Sequence, residues 1–77
     1  MILYKLLIYD NEATMDHVVG TLMSMFKMTV NKANEIMEEA YINGAAVIDI
    51  FPQERAEMYR GMLEEMGLKA RIEPDWG

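Results

Sequence analysis

Apolar residues recur along the chain with two different periods, and the switches between them mark six segments. Ile2, Leu3, Tyr4, Leu6, Leu7 and Ile8 form a dense run that ends in Tyr9-Asp10-Asn11-Glu12-Ala13. A short apolar run bounded by turn-forming residues predicts a buried strand followed by a loop. Thr14 then precedes Met15, Val18, Val19, Leu22, Met25 and Phe26, which keep to one face at helical spacing. That pattern predicts a helix with a hydroxyl N-cap and one buried stripe. Thr29 offers a second cap, and Ala33, Ile36, Met37, Ala40 and Tyr41 hold helical spacing as far as Asn43-Gly44, residues that tolerate a left-handed stop.

Ala45 to Phe51 is rich in β-branched and apolar side chains and predicts a central strand, with Asp49 near its edge or end. Pro52 at the first helical position, Glu54 in the first turn, the face Ala56, Tyr59, Met62, Leu63 and Met66, and the stop at Gly67 predict a third helix, weakened in its middle by Gly61. Leu68, Ala70 and Ile72 alternate with Lys69, Arg71 and Glu73, the period of a strand with one face in the core. The order is strand, helix, helix, strand, helix, strand. Three helices with one apolar face each bury those faces together by stacking on one side of a single sheet, so residues 1–77 are expected to form one α+β sandwich domain. Such a layer leaves the loop after the first strand and the end of the second helix as walls of a shallow surface pocket.

Composition narrows the function. Seventy-seven residues cannot build two cores, and a chain this short buries only about 60% of the surface exposed when unfolded, which disfavours a large internal active site. Thirteen acidic residues against seven basic ones give a net charge of −6, which repels phosphate backbones and argues against nucleic acid as a partner. There is no cysteine and one histidine, which excludes disulfides, thiolate zinc sites and histidine-rich metal centres. The first apolar run lacks a basic leader and a small-residue cleavage site, and no stretch approaches the roughly 20 apolar residues of a membrane span. A soluble, cytoplasmic protein with no cofactor and no membrane partner is expected.

Several stretches, taken in order, resemble the ClpS adaptors, which deliver proteins with destabilising N-terminal residues (N-degrons) to a Clp AAA+ protease. Tyr4-Lys5-Leu6-Leu7-Ile8 is similar to the family's first strand, and Met15-Asp16-His17-Val18-Val19 to its M-E-F-V-V helix start. Ala33 to Met37 resembles an A-x-x-I-M stretch, Asn43-Gly44-Ala45-Ala46-Val47 an N/Q-G-x-A-V turn and strand, and Ala56-Glu57 an A-E pair in the third helix. No single motif is specific; their order and spacing are, from Tyr4 to about Glu73. The resemblance implies a three-stranded antiparallel sheet covered by three helices.

It also implies recognition of a peptide's first residue. Family members hold the free α-ammonium with an N-D-D loop and a histidine near the end of the second helix, while an apolar pocket takes the side chain. Asp10 falls on the central aspartate of that loop and Asn11 on the next, keeping an oxygen acceptor without the charge. Tyr9 stands where the family has asparagine, unless the loop is shifted by one residue. Ala13 and Thr14 replace a T-P pair, and Tyr41 takes the histidine's position. Met15, Val18, Met37 and Leu68 align with pocket-lining positions. Ala40 stands where valine is frequent and should leave more room, while Met15 matches a gatekeeping methionine that disfavours β-branched first residues. Docking on the N-terminal domain of the unfoldase maps to the start of the third helix, with Glu54 and Glu57, although Tyr59 replaces a lysine there. Typical members carry a flexible extension ahead of the first strand; the sequence is expected to lack it, which would bear on delivery more than on binding.

Each position also has a plainer reading. Asp10-Asn11 is a common turn pair, Met15, Val18 and Met37 form an ordinary core stripe, Tyr41 packs on a helix face, and His17 is solvent-exposed. Glu35, Glu38 and Glu39 read as a solvated face rather than a metal site. Three functions follow in descending order. The first is a non-enzymatic adaptor that binds N-degron peptides with bulky apolar first residues and presents them to a Clp unfoldase. The second is a regulator or decoy that docks on the unfoldase without presenting cargo. The third is a small enzyme, ranked last because no Ser/His/Asp set, phosphate-cradling glycine loop or paired acid is visible.

Overall fold

In a computed structural model, which describes residues 2–10 and 12–76, the first apolar run forms β1 (Leu3–Tyr9). It is followed by α1 (Met15–Phe26), α2 (Val30–Asn43), β2 (Ala45–Pro52), α3 (Gln53–Glu65) and β3 (Ala70–Asp75). The three strands make one antiparallel sheet in the order β2-β1-β3. β1 is therefore the central strand, and β2, expected at the centre, is an edge. The physical reason lies in one-sided burial: Ala46 and Ile48 are buried whereas Val47 and Ile50 are exposed, so the strand's β-branched content reflects local propensity and not its place in the sheet. A bulge shifts the β1–β2 register, since Leu6 pairs with Asp49 and Leu7 with Val47. The Asp49 carboxylate accepts the Ile50 N–H there at 2.8 Å.

Local chemistry sets the helix ends. The Thr14 hydroxyl accepts the His17 N–H and the Thr29 hydroxyl accepts the Lys32 N–H, each at 3.2 Å, so both expected caps form. α2 stops at Gly44, whose φ of 89° needs a residue without a Cβ penalty and whose N–H returns to the Ala40 carbonyl at 2.8 Å. Pro52 lies one residue earlier than expected, as the extended N-cap paired with Leu3 rather than the first helical residue, because its ψ of 152° still belongs to the strand. α3 ends in a Schellman stop: Gly67 donates to the Glu64 carbonyl at 2.9 Å and Leu68 to that of Leu63 at 3.0 Å.

All three helices lie over one sheet face. Leu6 and Ile8 of β1 meet Leu22, Ala33, Ile36, Leu63 and Leu68 in the core. On the opposite face Lys5, Leu7, Val47, Ile50, Arg71 and Glu73 share rows of the ladder. At one end of the sandwich Phe26, Phe51 and Tyr59 pack together with ring centroids 4.9–6.2 Å apart, which ties α1, β2 and α3. Tyr59 is thereby a packed aromatic residue whose hydroxyl accepts from Arg55 at 3.4 Å. No helix among the described residues is long and apolar enough to cross a membrane.

Candidate functional site

At the other end of the sandwich, where β1 runs out and α2 stops, the three layers leave a recess. Its floor is made by Ile8, Val18 and Ala40, all buried, and Met37 forms a half-buried wall. Met15 at the first position of α1 and Tyr41 in the last turn of α2 stand over the opening, 60% and 66% exposed. The cavity measures about 160 Å³. An apolar cavity of about 150 Å³ holds a benzene ring, so the recess matches an aromatic or leucyl side chain.

Asp10, exposed, supplies the charge at the lip. Its backbone is fixed on both sides of the sheet end: the Tyr9 N–H donates to the Lys69 carbonyl at 3.0 Å, and the Asp10 N–H donates to the Gly44 carbonyl at 3.1 Å. Among the described residues the Asp10 carboxylate has no hydrogen-bond or salt-bridge partner, so it does not cap its own turn there. The Tyr9 ring, also in the lining, lies under the Arg71 guanidinium at 5.3 Å from its centroid, and Arg71 in turn bridges to Glu73. Beside the carboxylate, the polar side chains in the lining are the two phenols of Tyr9 and Tyr41.

Six residues singled out from the sequence thus converge on one recess: Asp10, Met15, Val18, Met37, Ala40 and Tyr41. Leu68 does not join them. It is 1% exposed and belongs to the core as the hydrophobic residue of the α3 stop, paired with the fully buried Leu63. Asn11 lies outside the described residues. Ile8, Tyr9 and Ala13 also line the recess, which the sequence does not reveal, because the end of a strand and the loop after it show no sign of what they will face. His17 is exposed as expected, yet its Nε2 lies 2.7 Å from the Met66 carbonyl oxygen, a contact that spacing along one helix cannot reveal.

Glu54 and Glu57 are exposed in the first turns of α3, where the Glu57 carboxylate accepts from the Gln53 amide at 3.3 Å. That turn begins beside Leu3, the opposite end of β1 from Tyr9, so six strand steps, roughly 20 Å, separate it from the recess. Glu35, Glu38 and Glu39 are exposed on α2, and the described residues hold no group of three side chains suited to a metal ion.

Comparison with known proteins matches this arrangement to one family. The profile described as "ATP-dependent Clp protease adaptor protein ClpS" covers residues 2–71. The chain is 40% identical over 76 residues to the chloroplastic ATP-dependent Clp protease adapter protein CLPS1 of Arabidopsis thaliana, covering 96% of this chain and 48% of that one. It is 39% identical over 77 residues to the ClpS adapter of Gloeobacter violaceus, covering 97% of this chain and 83% of the relative. The chain therefore spans about half of the plant protein and most of the cyanobacterial one. Among solved structures, that of Agrobacterium tumefaciens ClpS2 bound to L-phenylalaninamide superposes with a TM-score of 0.83 at 22% identity, covering 96% of this chain and 98% of that one, and so shares its fold. With the profile spanning nearly its whole length, the chain belongs to the ClpS family of Clp protease adaptors.

Proposed function

We propose that the recess takes the first residue of an N-degron protein and that the chain presents such proteins to a Clp AAA+ unfoldase. One observation carries this reading: a carboxylate without a partner among the described residues stands at the lip of an apolar cavity of about 160 Å³. A bulky apolar side chain gains roughly 1.5–3 kcal/mol on full burial, while the ammonium one bond from its Cα needs oxygen acceptors where it leaves water. Asp10 supplies the charged acceptor and the Tyr41 phenol a neutral one, with the Asn11 amide as a third. L-Phenylalaninamide, the ligand of the Agrobacterium relative, joins an aromatic ring, a free α-amine and an amide, which is the chemistry of a chain's first residue.

The exposed Met15 stands over the opening, where its bulk disfavours first residues branched at Cβ. Leu68, sealed in the core, takes no part in ligand contact. Docking on the unfoldase's N-terminal domain falls to Glu54 and Glu57 at the far end of β1, which leaves the recess free while the adaptor is bound. Each step is one of binding, and none requires a nucleophile or a cofactor.

Isothermal titration with a peptide bearing a free N-terminal Phe or Leu tests the reading. Binding that disappears when the amine is acetylated is expected. Equal binding of both forms, or of neither, would overturn it.

A further inference from the structure

His17 sits in the first turn of α1 between two residues that line the recess, Met15 and Val18. Its backbone N–H binds the capping hydroxyl of Thr14 at 3.2 Å, and its imidazole Nε2 lies 2.7 Å from the carbonyl oxygen of Met66, the residue that caps α3. A carbonyl only accepts, so Nε2 carries the proton and donates. This contact joins residues 49 apart in the chain. The other side-chain hydrogen bonds between described residues join partners no more than four apart.

The start of a helix is where backbone groups lack partners within the helix and where the turn frays most easily. Thr14, Met15 and Asp16 are all exposed and bury nothing that would fix them. At the far end of α1, Phe26 packs on Tyr59 of α3 with ring centroids 4.9 Å apart. From the His17–Met66 contact a groove runs past Gly20, Thr21, Met25 and Met62, so on the surface α1 and α3 part between their two end contacts while Leu22 and Leu63 share the core beneath.

We infer that His17 is a positioning residue for the recess: by donating to the Met66 carbonyl it ties the first turn of α1 to the end of α3 and so sets where Met15 stands over the opening. The inference rests on the reading of the recess as the site for a chain's first residue. Loss of the tether leaves the core intact, because both partners are exposed, but lets the gating methionine shift.

The test compares His17→Ala with His17→Gln, whose side-chain amide nitrogen reaches about as far as Nε2, in three measurements on the full chain. The chain has a single histidine, so its ring nitrogen spectrum belongs to His17 alone, and the Nε2–H form is expected. The Met15 methyl signal should move in His17→Ala and return in His17→Gln. Affinity for a peptide with N-terminal Phe should fall about 2- to 10-fold in His17→Ala and recover in His17→Gln, the range expected for one lost hydrogen bond. A bare Nε2, or a Met15 methyl signal and affinity unchanged in His17→Ala, would overturn the inference, as would equal loss in both variants. A wild-type protein that binds no such peptide would overturn the reading of the recess instead, with the ring spectrum and the Met15 signal still deciding whether the tether exists.

Discussion

The backbone N–H of Asp10 donates to the carbonyl of Gly44 at 3.1 Å, so the acidic lip of the recess hangs from the residue that ends α2. Gly44 performs two tasks at once, since its own N–H binds the carbonyl of Ala40 in the recess floor at 2.8 Å. Among the described residues no neighbour lies within 4 Å of where a Cβ would be, so its requirement for glycine is one of backbone conformation, φ 89°. Gly44→Ala is expected to destabilise the fold by about 1–2 kcal/mol, the cost of a left-handed alanine. Gly44→Asn should cost less, because asparagine visits that region more readily. Urea denaturation of the two variants measures the difference, and equal stability would contradict the role given to the turn.

Ala40 forms part of the floor, where a larger side chain projects into the space assigned to the ligand. Ala40→Leu should remove binding of a peptide with N-terminal Phe, by tenfold or more, while costing about 1–3 kcal/mol of stability through overpacking. Titration and denaturation of the same variant separate the two effects.

Much of the fold is legible because its determinants are local. Thr14 and Thr29 stand one residue ahead of apolar stripes and cap as their positions require, and Gly44 and Gly67 stop helices with positive φ. Strand order is different: whether Ala45–Pro52 lies in the middle or at the edge depends on what pairs with β1, and its own residues do not carry that information. The same limit explains Leu68, whose alternation with Ala70 and Ile72 marks it as inward-facing without saying whether inward means recess or core. For Asp10, a turn pair and a carboxylate without a partner among the described residues look alike in sequence. Only the bonds from Tyr9 to Lys69 and from Asp10 to Gly44, residues just ahead of β3 and β2, show a backbone held by neighbouring segments.

Leu68 offers a direct contrast with the recess. Replacing this 1%-exposed residue by alanine should cost about 2–5 kcal/mol, as for other buried leucines. At temperatures where the variant stays folded, its affinity for a peptide with N-terminal Phe should remain close to that of the wild type. A large loss of affinity without loss of stability would return Leu68 to the lining.

Binding should also follow the charge of the ligand's amine. A free α-amine titrates near about 7.7–8.0 and only its protonated form complements Asp10. Affinity is therefore present below that range and is lost as pH rises through it, by about tenfold per pH unit beyond. Titration across this range checks the sign, and a constant affinity up to about pH 10 would contradict it.

The central claim is that the Asp10 carboxylate holds the positive end of another chain. Asp10→Asn keeps the shape and one acceptor but removes the charge, so the affinity for a peptide with free N-terminal Phe is the most direct measurement. A charge-assisted hydrogen bond contributes about 1.5–3 kcal/mol, and a fall of about 10- to 150-fold is predicted with the fold unchanged. Undiminished affinity in Asp10→Asn would contradict the account.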